Sequence, residues 1–133
     1  MKPRPIAFIL PVIWLIFIYV LLTMPDNDIP KLGFLDAIYF DKWVHAGLFA
    51  MLTFLFSWPF RKIYPARHRL FVSIAVLALL YGITMEYVQE YFTTDRDFDY
   101  NDMLADGFGC LVGYIAARFI ANRIRLKEKN KPL

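Results

Sequence analysis

Glu86 stands inside an apolar run, in "YGITMEYVQEYF", with Gln89 three residues on and Glu90 four residues on. Those offsets put all three on one face of a helix. Asp41 and His45 are also four apart in "DKWVH", with Lys42 beside Asp41. Asp99, Asp102 and Asp106 recur at offsets of three and four in "DYNDMLAD", shortly after Arg96. Carboxylates, an imidazole and two cationic groups are the parts of acid–base chemistry, of phosphate or carboxylate recognition, and of cation binding. No serine lies in a recognisable nucleophile motif. The single Cys110 sits among small residues and reads as a packing residue.

The elements that must carry these residues are membrane spans. Of 133 residues, 59% are hydrophobic and 18% aromatic, against about 45–50% apolar in soluble domains. The excess falls in four blocks, about 5–24, 43–60, 70–92 and 103–122. The first block has no charged residue over its whole length, and a helix needs about 20 such residues to cross a bilayer. Lys2 and Arg4 precede it, but the run is longer than a secretory signal core and no small-x-small cleavage site follows, so it is expected to stay as a span. The fold class expected is all-α: one domain over residues 1–133, a polytopic membrane protein with four transmembrane helices in a compact bundle.

Twelve of the fifteen Lys and Arg lie before the first span, between the second and third, or in the final turns of the fourth and beyond it; only Lys31, Lys42 and Arg96 lie on the other side. The positive-inside rule then places both termini in the cytoplasm. The expected location is the plasma (inner) membrane, multi-pass, with the polar residues on the extracytoplasmic side. The net charge of +3 is a topology signal and not a nucleic-acid footprint. Between the first two spans, "KLGFLDAIYF" is too apolar for a free loop and is expected to lie as an amphipathic segment on the membrane surface.

Several of the polar residues have a structural reading of their own. Asp41 suits a helix start, where it complements the dipole. Asp99 and Asp102 suit turn and N-cap positions, and His45 suits a hydrogen-bonded core histidine. Glu86 and Asp106 do not yield to this treatment. A carboxylate deep in a span costs about 2.5–3.5 kcal/mol on insertion scales and normally faces a bundle interior or watery cavity with a partner. Gly109 and Gly113 form a G-x-x-x-G on nearly the same face as Asp106. Small residues at that spacing let helices approach closely, which brings Asp106 towards the spans bearing His45 and Glu86.

The ordered set Asp41, Lys42, His45, then Glu86, Gln89, then Arg96, Asp99, Asp102, then Gly107, Gly109, Gly113 resembles the VanZ family. The match covers residues 41–113, with the first span also as expected. One position departs: Asp106 stands where the family usually has Asn. The resemblance implies a small four-helix membrane protein, and the family's namesake is associated with low-level resistance to the glycopeptide teicoplanin.

The candidate catalytic or ligand-binding residues are therefore Asp41, Lys42, His45, Glu86, Gln89, Arg96, Asp99, Asp102 and Asp106, with Gly109 and Gly113 as packing residues. The first reading is an outward-facing polar cup that binds a cell-envelope lipid, a cell-wall precursor or an amphipathic antibiotic, its apolar flanks taking the acyl chain. The alternative is a membrane-embedded enzyme, acid–base or metal-assisted, that hydrolyses or transfers a lipid-linked envelope substrate. Proton or ion passage ranks last, because the inner halves of the spans are apolar. Membrane lipid is the expected partner, with a lipid-linked precursor or glycopeptide antibiotic as ligand and no nucleic acid. The residue types are compatible with a divalent cation, but no ligand spacing is diagnostic, so the metal stays open. Five carboxylates crowd around Lys42, Arg96 and His45. Like charges that close cannot all stay ionised, so at least one acid holds its proton or a cation binds.

Overall fold

The computed structural model describes residues 3–25, 33–34, 38–64, 66–94 and 96–130. A short 3-10 turn, Pro5–Phe8, leads into α1, Ile9–Thr23. Then come α2, Phe40–Ser57, prolonged by a 3-10 turn at Trp58–Ile63; α3, His68–Phe92; and α4, Tyr100–Lys129. Among the described residues there is no strand. Four stretches, Pro5–Thr23, Phe40–Ile63, His68–Phe92 and Tyr100–Lys129, are long and apolar enough to cross a membrane. The protein is an all-helical, four-span membrane protein.

The helix ends differ from the apolar blocks for identifiable reasons. Helix α2 starts at Phe40, just after Tyr39, which takes the left-handed conformation at φ 53°. Asp41 and Lys42 are thus in the first turn and not flanking it. Helix α4 starts at Tyr100, because Asp99 caps it by accepting from the Asn101 N–H at 2.8 Å. It then runs to Lys129, well past residue 122, because "ANRIRLKEK" is rich in strong helix formers and ends on lysines that complement the dipole. Apolarity marks where a helix meets lipid, not where it stops being a helix. Half of the amphipathic segment expected at residues 31–40 lies outside the described residues.

Helices α2, α3 and α4 pack around the polar residues, and α1 lies against α2 and α3. The tightest approach is α4 on α2. A Cβ on Gly109 would run into the Ala46 carbonyl, and one on Gly113 into the Ala50 carbonyl. Beneath the polar end, Leu48, Phe49, Leu52, Ala78, Met85 and Cys110 form an apolar core with Ile18 and Leu22 of α1. A second cluster, Tyr64, Phe71, Ala117 and Ala121, closes the opposite end.

Helix α1 buries only Pro11, Ile18 and Leu22; Ile9, Leu10, Ile13, Ile16 and Phe17 face outward. Three side chains fasten it. Trp14 Nε1 donates to the Leu48 carbonyl at 3.0 Å. The Tyr81 hydroxyl donates to Leu15 O at 3.1 Å, and Gln89 Nε2 to Leu22 O at 2.9 Å. In lipid, apolar surface provides no drive to associate, so polar contacts of this kind and close packing hold helices together.

Candidate functional site

The first turns of α2 supply Asp41, Lys42 and His45, the last turns of α3 supply Glu86, and the start of α4 supplies Asp99, Asp102 and Asp106. Helices α2 and α4 begin at the end of the bundle where α3 finishes, so these residues converge there. Lys42 is the hub of the upper layer. Its Nζ lies 2.9 Å from Asp41 Oδ2, 2.5 Å from Asp99 Oδ2 and 2.5 Å from Asp102 Oδ1. His45 is the hub of the lower layer. Its Nδ1 lies 2.9 Å from Asp106 Oδ1, and its Nε2 lies 3.7 Å from Asp102 Oδ2. Asp102 touches both hubs, one with each oxygen.

Exposure falls with depth. The Asp41 side chain is 60% exposed, those of Lys42 and Asp102 are 20% and 15%, and those of His45 and Asp106 are buried. Glu86 is fully buried. The hydrogen bond from Lys42 holds the Asp99 carboxyl below the usual carboxylate range.

Glu86 also shapes the loop before α4. Its Oε2 accepts the Asp99 N–H at 3.1 Å, while Glu90, one turn later, accepts the Phe98 N–H at 2.8 Å. Two carboxylates of α3 thus grip consecutive backbone donors and fix where α4 starts. Their remaining capacity differs. Glu86 Oε1 and Asp106 Oδ2 are buried and have no hydrogen-bond partner among the described residues. A buried polar atom without a partner costs about 1–3 kcal/mol, more if charged, so each of these atoms demands an explanation.

Two of the residues singled out from sequence do other things. Gln89 is buried, but it donates to α1 and so fastens that helix. Among the described residues no ion pair joins Arg96 to the cluster, and its Nε has no hydrogen-bond partner. One residue escaped the sequence reading. Gly82 gives Asp106 its room, since a Cβ there would lie 2.6 Å from Asp106 Oδ2. The signal was present: Gly82 precedes Glu86 by four residues, on the face that meets the other acids.

Chemically, an imidazole fixed at Nδ1 by a carboxylate is an oriented base or ligand, its tautomer set by that bond. With Asp106 accepting, Nδ1 carries a proton, and Nε2 faces Asp102 Oδ2 at 3.7 Å. The residues placed to hold a cation are His45, Glu86 and Asp102.

The family model described as VanZ/LLP1 matches residues 5–121. The chain belongs to the VanZ/LLP1 family. No curated protein and no solved structure matches it. The matched stretch of this VanZ/LLP1 chain includes all seven converging residues and both interface glycines. It ends within α4, before the basic continuation to Lys129.

Proposed function

We propose that this VanZ/LLP1 protein binds the head of an amphipathic cell-envelope molecule, a lipid, a lipid-linked cell-wall precursor or a glycopeptide antibiotic, at the polar end of its bundle. One observation carries the reading. Charged groups from three helices run from an exposed rim, Asp41 and Asp99, to a buried floor, Glu86 and Asp106, beside helix surfaces suited to lipid. The excess of carboxylates over Lys42 favours amine and hydroxyl groups over a bare phosphate. Exposed aromatics around this end, Tyr39, Trp43, Tyr91 and Tyr100, suit the headgroup level of a bilayer. The split of basic residues supports an extracytoplasmic orientation in the plasma membrane.

The test is native mass spectrometry of the detergent-extracted protein. An intact envelope lipid or precursor retained by the wild type and lost from Asp41→Asn/Asp99→Asn supports binding. Retention of bulk phospholipid alone, the same in both proteins, refutes it. A second reading, an acid–base or metal-assisted enzyme on a lipid-linked substrate, draws on the oriented His45–Asp106 couple. It requires that labelled envelope lipid be turned over by the wild type and not by His45→Gln.

A further inference from the structure

We propose that His45, Glu86 and Asp102 form a site for one divalent cation of the zinc class, built from a single donor atom on each of α2, α3 and α4. It stands apart from the choice of ligand above.

Each of the three side chains has two polar atoms, and in each one of them is already held. His45 Nδ1 is on Asp106, Asp102 Oδ1 is on Lys42, and Glu86 Oε2 is on the Asp99 N–H. That leaves His45 Nε2, Asp102 Oδ2 and Glu86 Oε1. The last of these is an atom of a fully buried side chain with no hydrogen-bond partner among the described residues. One nitrogen of His45 and one oxygen each of Glu86 and Asp102 lie within 4.8 Å of one another.

The spacing fits a contracted version of this arrangement. Bonds of about 2.0–2.2 Å at tetrahedral angles put ligand atoms roughly 3.4 Å apart, and His45 Nε2 is 3.7 Å from Asp102 Oδ2. Too long for a hydrogen bond, that gap suits two ligands of one ion. Closing a separation of up to 4.8 Å to that spacing takes at most about 1.4 Å of side-chain movement.

The atoms behind the ligands match what metal sites require. A ligating histidine usually gives its other N–H to a carboxylate, which fixes the ring and raises its basicity; Asp106 is in that position. Lys42 on the second oxygen of Asp102 holds it to one bond. An imidazole among the donors disfavours Mg²⁺ and Ca²⁺, which take oxygen, and the set holds no thiolate to select a soft ion. Three protein donors leave a coordination position for water or for an oxygen of a bound molecule. The cation also answers the charge excess, since it offsets two of the negative charges packed around Lys42.

The experiment uses the full chain, purified without a histidine tag, loaded with Zn²⁺ and then passed through metal-free buffer. We expect one zinc per chain by elemental analysis. Glu86→Gln and Asp102→Asn should each weaken retention at least tenfold. His68→Ala, at the far end of α3, should leave it unchanged and so reports adventitious histidine binding. Mg²⁺ in tenfold excess should not displace the zinc. Zinc-edge absorption of the wild type should show only nitrogen and oxygen neighbours at about 2.0–2.2 Å, with imidazole scattering, and no sulfur near 2.3 Å. Zinc that is not retained stoichiometrically, that is held equally by Glu86→Gln, or that shows a sulfur neighbour overturns the proposal. The absorption measurement needs no variant, so a substitution that fails to fold leaves the decision intact.

Discussion

Replacing Gly109 with alanine adds one methyl group at the closest helix contact of the bundle. The new Cβ would lie 2.9 Å from both the carbonyl carbon and the Cα of Ala46, and closer still to its oxygen. Carbon atoms pack best at about 3.5–4.0 Å, so α2 and α4 must part by roughly 1 Å. All of the atoms involved are backbone within helices, so no side chain can swing aside. Overpacking of this kind costs about 1–3 kcal/mol. Against it, alanine gains about 0.5–1 kcal/mol of backbone entropy over glycine within a helix. Gly47→Ala isolates the packing cost, because Gly47 follows Ala46 and a Cβ there meets nothing within 4 Å. Both variants carry the same entropic gain, so the difference between them should be about 1–3 kcal/mol. The assay is reversible unfolding in mixed detergent micelles, followed through Trp14, Trp43 and Trp58. His45 and Asp106 flank this contact, so parting the helices also stretches their 2.9 Å bond past hydrogen-bonding range. Equal stabilities for the two variants would refute the close approach, and with it the means by which Asp106 reaches α2.

Gln89→Leu should lower stability by about 0.5–1.5 kcal/mol through loss of its bond to α1, without changing zinc retention; an effect on retention in the folded variant would return Gln89 to the site. His45→Ala leaves neither oxygen of the buried Asp106 partnered and should cost about 1–3 kcal/mol. Adding Asp106→Leu should restore most of that loss in the same unfolding assay, and failure to do so would show that the carboxylate was not the strained group. In a Cys110→Ala background, a cysteine at Asn101 should react with an impermeant thiol reagent on intact cells and one at Asn130 should not; the reverse pattern inverts the topology.

Much of the fold was legible because lipid demands long apolar runs, and those runs can be counted directly. The starts of α2 and α4 were blurred, since Asp41 and Lys42 are helical yet polar and Asp99 caps a helix whose first turn is also polar. The end of α4 was missed for a related reason: "RIRLKEK" continues the helix without any apolar signal. At the site, helical offsets grouped Asp41 with His45, Glu86 with Gln89, and Asp99 with Asp102 and Asp106. Offsets within a helix cannot reveal which atom meets which partner across helices. Gln89 shares a face with Glu86 but lies far enough round it to reach α1, and Arg96 belongs to a loop whose path no periodicity dictates. Gly82 stayed unseen because its role is the space it leaves for a residue 24 positions later in the chain.

The chain order of these contacts has a consequence for biogenesis. The first span, with a mean hydropathy of 2.7, can enter the bilayer alone, yet all of its polar fastenings have their partners on helices made later. His45 and Glu86 precede their partners, Asp106 and the Asp99 N–H, in the chain, so each is made before the group that satisfies it. Only when the start of α4 has been made can His45 Nδ1, Glu86 Oε2 and the Asp99 N–H be paired. A chain stopped before Asp99 would hold His45 and Glu86 at membrane depth without these partners. Completion of the site thus depends on the arrival of the last span.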